Sequence, residues 1–130
     1  MKISEPVTIS GIVSRYKGNG RELGYPTANL NTNTELEDGV YFGYASLAEW
    51  QDHPAIIFIG VPTTMGDTER RVEAHLLDIP DEDYYGLKLE LRIYHYHRAN
   101  QNFEGVEKLL EVMKNDELVA RQWFRNRDVA

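Results

Sequence analysis

Leu87-Lys88-Leu89-Glu90-Leu91-Arg92-Ile93 alternates apolar and charged residues without a break. A period of two puts the four apolar side chains on one face and the three charges on the other, the pattern of a half-buried β-strand. The same reading applies upstream. Arg71 to Asp78 places Val72, Ala74 and Leu76 on one face and Glu73, His75 and Leu77 on the other. Val7, Ile9, Gly11 and Val13 alternate with Thr8, Ser10 and Ile12. Gly39 to Leu47 is rich in β-forming residues. Ala55 to Val61 is a continuous apolar run, which predicts a strand buried on both faces, with a hairpin connection at Gln51 to Pro54. Tyr25 to Leu30 reads as a short extended piece, since Pro26 biases Tyr25 toward the β region.

The period changes after Arg98. Phe103, Val106, Leu109, Leu110 and Met113 recur at spacings of three and four, a helical stripe for which Asn102 is the expected N-cap. Leu118, Val119, Trp123 and Phe124 predict a second helical piece after Asn115-Asp116. About six strands followed by helix make a mainly β protein, a small antiparallel barrel or sandwich with helix packed at one end.

The chain has 130 residues, 14 basic and 21 acidic, for a net charge of −7, and no cysteine. That length suits a single domain spanning 1–130. The missing cysteines remove disulfides, thiolate metal sites and thiol nucleophiles together, and fit a reducing, cytoplasmic setting. No stretch approaches the ~20 apolar residues of a membrane span. The acidic balance argues against nucleic acid or anionic membrane as the main partner. A bound polyanion would need a local exception of backbone N–H groups, a few basic residues and a metal.

Residues 14–24 hold glycines at 18, 20 and 24. Their spacing matches neither of the common phosphate-binding fingerprints, yet glycines let backbone N–H groups turn toward phosphate oxygens, and Arg21 adds a cation. A plain hairpin loop is the other reading. In Pro26-Thr27-Ala28-Asn29, the side chains of Thr27 and Asn29 share a face if the segment is extended. A hydroxyl and an amide carbonyl are neutral oxygen ligands, suited to Mg²⁺ held mainly by nucleotide phosphates; turn capping by Asn29 is the alternative. Glu73 is a strand carboxylate, either a general base or a solvent-facing residue. His95 and His97 share a face and read as a metal pair or as ring packing.

Taken together, these segments resemble the riboflavin kinase family. Gly18-x-Gly20-Arg21-x-Leu23-Gly24-x-Pro26-Thr27-Ala28-Asn29 is similar to that family's glycine-rich loop running into its PTAN motif. Gly39-Val40-Tyr41, Val72-Glu73-Ala74-His75, Asp83-Tyr84-Tyr85-Gly86 and the segment from Arg98 to Phe103 resemble further family motifs in the same order. The resemblance implies a six-stranded antiparallel Greek-key barrel with a C-terminal α-helix. It implies transfer of the ATP γ-phosphoryl group to the 5′-hydroxyl of riboflavin, giving FMN and ADP. Carried over by position, Glu73 is the catalytic base, and Thr27 and Asn29 hold Mg²⁺ (or Zn²⁺). Gly18, Gly20, Arg21, Gly24, Thr27, Leu76 and Tyr85 bind ATP, and Arg98 and Phe103 contact the flavin. Tyr16 stands where the family starts its loop with glycine, and Arg98-Ala99-Asn100 where it has R-P-E. Those two differences motivate a second reading, a barrel that binds flavin or nucleotide without turnover. With the first strand beginning by about Val7, the length leads one to expect a stand-alone kinase domain, working as a monomer without a fused adenylyltransferase.

Overall fold

The computed structural model describes residues 3–15, 24–62 and 68–128. Among the described residues, six strands and one helix follow in chain order: β1 (Val7–Ser14), β2 (Ala28–Leu30), β3 (Gly39–Leu47), β4 (Trp50–Gly60), β5 (Arg71–Leu76), β6 (Lys88–Arg98) and α1 (Val106–Asp128). The strands close into an antiparallel barrel in the order β1-β2-β5-β4-β3-β6. β3, β4 and β5 form a meander; β2 sits beside β5, and β6 returns between β3 and β1, which is Greek-key connectivity. Closure leaves the sheet no free edge.

The alternating segments point inward as their periods require. Ile9 and Val13 of β1, Val72, Ala74 and Leu76 of β5, and Leu89, Leu91 and Ile93 of β6 all sit in the barrel core. β4 behaves differently from the expectation of a strand buried on both faces. Ala55, Ile57 and Ile59 are fully buried, whereas Ile56 and Phe58 are only partly covered. β3 is the strand closed in on both sides: Tyr41, Ala45 and Leu47 fill the barrel, and Phe42 lies in a second cluster with Ala120 and Phe124 of α1. Gly43 lets β6 approach, since a Cβ there would stand 2.2 Å from the Arg92 carbonyl oxygen.

The hairpin between β3 and β4 is at Ala48-Glu49, not at Gln51 to Pro54. Pro54 is tolerated inside β4 because its carbonyl edge faces the end of β5, where Leu77 N–H donates to it at 3.0 Å. The missing N–H therefore costs the β3–β4 ladder nothing.

The helix is also corrected. It begins at Val106 after Gly105, so Asn102 is not its N-cap, and it runs unbroken through Asn115-Asp116 to Asp128. Asp116, Ala120 and Phe124, four residues apart, form its buried stripe. Asp116 is a polar residue in that stripe because it is paired, as described below.

The aromatic residues of β3 and β6 dock this helix. His95 stacks on Trp123 with ring centroids 5.5 Å apart, and His97 stacks on Phe42 at 4.7 Å. Arg127 lies over the Tyr94 ring at 4.2 Å. Burial pushes the His95 imidazole below its ordinary pKa of 6.5, and the neighbouring His97 adds to the push. The unfolded chain therefore takes up this proton first on acidification. The stability involved is fully present above pH 6.5 and is lost as the pH falls toward the lowered folded-state value. His95→Phe keeps a ring against Trp123 and is expected to flatten that part of the Tm–pH curve. An unchanged curve from calorimetry between pH 7 and the acid limb would refute the assignment.

Candidate active site

The site is built on a row of residues that face one another around the barrel. Register pairs Arg98 with Val40, Val40 with Phe58, Phe58 with Glu73, Glu73 with Asn29, and Asn29 with Ser14. Residues directly opposite on antiparallel strands point to the same face. Glu73 and Asn29 are thus neighbours on the outer face, while Ala74 and Ala28 beside them turn into the core. Glu73 is half-buried.

Asn29 is 6% exposed, and its Oδ1 has no hydrogen-bond partner among the described residues. Leaving a buried acceptor unsatisfied costs about 1–3 kcal/mol, so the position asks for a ligand. Ser14 Oγ donates to the backbone carbonyl of Asn29 at 3.3 Å, which holds β2 in place without using that side chain.

Asn29 and Thr27 both line an open cleft. Its inner walls are apolar: Val13, Ala28, Leu47, Ala74 and Leu76. Its rim is Pro26 and the segment from Ile79 to Tyr85, with Asp81 and Glu82. The apolar walls suit the face of a heterocyclic ring, and Thr27 and Asn29 add polar groups to the lining. Arg15 lies over the Tyr85 ring, 4.7 Å from its centroid.

The structure therefore brings Thr27, Asn29, Leu76 and Tyr85 together at one cleft and sets Glu73 beside it. Gly24 is exposed, with a φ of +86° that suits glycine, and does not line the cleft. Gly18, Gly20 and Arg21, and Tyr16, lie outside the described residues.

Arg98 is on β6, which stands opposite β5 in the six-stranded barrel. Arg98 is three strands away from Glu73 along the row, about 14 Å by strand spacing. Its guanidinium is fastened to Asp116 of α1: Nε donates to Oδ1 and Nη2 to Oδ2, each at 2.8 Å, and Nη1 donates to the Ala99 carbonyl at 3.0 Å. His97 Nε2 adds a third contact to Asp116 at 3.0 Å. Asn100 Nδ2 donates to the Ile59 carbonyl at 2.9 Å. It lies so close over Gly60 that a Cβ there would meet Nδ2 at 2.1 Å. The loop that carries Phe103 out of β6 is thereby tied to β4.

Two groups in this region carry no role in the sequence reading. His75 Nδ1 meets the Pro26 carbonyl at 2.7 Å, and Asp116 holds Arg98. The signal for His75 is the E-x-H strand itself, which puts it on the Glu73 face; for Asp116 it is an acid at helical spacing with buried apolar residues.

A closed barrel that sets the Asn29 amide opposite the Glu73 carboxylate, beside an apolar-walled cleft, holds parts a small-molecule phosphotransferase can use. Comparison with known proteins narrows the class. The family model for riboflavin kinase matches residues 3–124. The riboflavin kinase of Homo sapiens is 31% identical over 118 residues, covering 85% of this chain and 76% of the human one. The trifunctional protein RibF/MnmA of Mycoplasmoides gallisepticum is 31% identical over 126 residues, covering 95% of this chain and 19% of that protein. The chain thus spans about a fifth of one relative and three quarters of the other. The crystal structure of riboflavin kinase from Trypanosoma brucei superposes with a TM-score of 0.71 at 20% identity, over 93% of this chain and 81% of that one, and shares the fold. The chain belongs to the riboflavin kinase family. Membership supports phosphorylation of riboflavin to FMN with ATP as the donor. No described helix is long and apolar enough to cross a membrane.

Proposed function

We propose that this chain transfers the γ-phosphoryl group of ATP to the 5′-hydroxyl of riboflavin, with Glu73 as general base. The observation that carries the residue assignment is the cross-strand pair: Glu73 directly opposite Asn29, whose buried Oδ1 has no partner among the described residues. A ribityl hydroxyl is a poor nucleophile, and phosphoryl transfer is mostly positioning and charge neutralisation. The Glu73 carboxylate accepts the 5′-hydroxyl proton as the oxygen bonds to the γ-phosphorus. The bond to the bridging β–γ oxygen breaks, and ADP leaves with the electron pair.

The donor set fits a hard divalent cation. Asn29 Oδ1 and the Thr27 hydroxyl would hold Mg²⁺ together with phosphate oxygens. Zn²⁺ is the poorer match, since it favours nitrogen and sulfur ligands and this donor pair offers only neutral oxygens. When bound, the cation neutralises charge developing on the phosphates. Leu76 and Tyr85 hold the nucleotide in the cleft, and Gly18, Gly20, Arg21 and Gly24 belong to the loop assigned to its phosphates. Arg98 and Phe103 face the flavin. With Nε and Nη2 committed to Asp116, Arg98 offers the flavin the plane of its guanidinium and its remaining N–H bonds.

The test is direct. Incubation with riboflavin, ATP and Mg²⁺ is expected to yield FMN by chromatography, more slowly with Zn²⁺. Flavin binding without FMN under either metal would overturn the proposal in favour of a non-catalytic module. The same reading takes the chain as a single-domain cytoplasmic monomer, to be checked by sedimentation and cell fractionation.

A further inference from the structure

We propose that His75 is a positioning residue for the metal-binding oxygens: its ring fixes the Pro26–Thr27 peptide and so sets where the Thr27 side chain stands. The inference rests on the assignment of Thr27 and Asn29 as the metal-holding pair.

Three observations support it. His75 Nδ1 is 2.7 Å from the Pro26 carbonyl oxygen. A carbonyl only accepts, so Nδ1 carries the hydrogen and donates it. Pro26 cannot supply an N–H to any ladder, and β2 begins only at Ala28, so among the described residues no strand pairing orders the Pro26–Thr27 peptide. The histidine supplies the missing restraint from β5.

The second observation is the ring contact. The His75 and Tyr25 rings meet edge to face with centroids 5.5 Å apart. Burial and the nearby Glu117 carboxylate of the helix raise the Tyr25 hydroxyl above its ordinary pKa, which sets this ring beside α1. The two residues preceding Thr27 are thus both held by His75 of β5, Pro26 through its carbonyl and Tyr25 through its ring.

The third is that β5 carries both groups. Glu73 and His75 are two residues apart and lie on the same face of the strand. Any shift of β5 moves the carboxylate and the Thr27 restraint together, so the distance from base to metal oxygens is kept. Arg121 reinforces the link. It pairs bidentately with Asp78, just past β5, at 2.8 and 2.9 Å, and with Glu117 at 2.9 Å.

Groups that orient a metal's ligands typically change metal affinity 10- to 100-fold when removed. His75→Phe keeps a ring against Tyr25 and deletes the donor. His75→Asn restores an N–H close to the position of Nδ1. The readout is binding, not turnover: Mn²⁺ as the probe, followed by electron paramagnetic resonance with ADP present, and ADP alone in chelator followed by calorimetry. His75→Phe is expected to weaken Mn²⁺ about tenfold or more, with ADP binding in chelator unchanged. His75→Asn is expected to recover most of the loss. Unchanged Mn²⁺ affinity in a folded His75→Phe would overturn the inference, as would equal weakening of ADP in chelator. His75→Leu takes over the comparison if the Phe variant does not fold. A wild-type chain that binds Mn²⁺ with ADP yet makes no FMN would sink the kinase reading and leave this inference standing. Failure of the wild-type chain to bind Mn²⁺ would sink the inference, whatever the FMN assay gives.

Discussion

Glu73→Gln lowers the turnover number for FMN formation by roughly 10²–10⁴-fold, the range expected when a general base is removed. The substitution is close to isosteric, and the side chain is half-buried on the outer face of β5 rather than in the barrel core. The backbone pairs with Asn29 and Phe58 stay intact, so the melting temperature should change by no more than a few degrees. The Michaelis constants should change far less than the turnover number, because the proton moves only as the new bond forms. Glu73→Asp is the sharper companion. It keeps the charge and withdraws the carboxylate by one methylene, and it should lose much of the rate as well, since proton transfer needs hydrogen-bond reach. Steady-state FMN formation with both substrates saturating measures the effect. Full rate in Glu73→Gln would leave the strand carboxylate as an ordinary surface residue and require another base.

The parts of this molecule legible in its sequence are those governed by local periodicity. Alternation at Arg71 to Asp78 and Leu87 to Ile93 reports one wet face and one dry face, and β5 and β6 stand there. β3 was harder, because its outer face is dry only where α1, more than 60 residues later, covers Phe42. The run Ala55 to Val61 looked buried on both faces because Ile56 and Phe58 are apolar, though neither is fully covered. Asn115-Asp116 looked like a helix end because free Asn and Asp favour turns. Asp116 is not free: Arg98 and His97 of β6 hold its carboxylate, and the helix continues. In the proposed site, Thr27, Asn29 and Glu73 stand out in the sequence because the segments that carry them resemble family motifs. The His75 contact joins a side chain to a backbone carbonyl 49 positions away, and no local pattern reports such a bond.

Asp116→Ala is the substitution expected to cost the fold most, about 3–5 kcal/mol and about 10 °C in Tm by thermal unfolding. The reason lies in what it leaves behind. Asp116 is 4% exposed and stands between Arg98 and His97, whose side chains are 19% and 15% exposed. Without the carboxylate, the Arg98 guanidinium keeps only its Ala99 bond, and His97 loses its acceptor while remaining stacked on Phe42. A charge largely withdrawn from water is then uncompensated, which is worse than never having had the pair. Asp116→Asn separates shape from charge. It keeps the volume and one acceptor oxygen, so it should cost less than alanine yet still release one arm of Arg98. Both variants should raise the Michaelis constant for riboflavin if Arg98 presents its plane to the flavin, because the plane is fixed by the two bonds to Asp116. Neither should weaken Mn²⁺ with ADP, since Asp116 does not line the cleft and β2 is held by β1 and β5. His75→Phe is expected to do the opposite, sparing riboflavin and weakening the metal. If instead Asp116→Asn loses both affinities together at a temperature where it is folded, the two sides of Glu73 are coupled through α1. The Glu117–Arg121–Asp78 chain would then be the route by which the helix reaches β5.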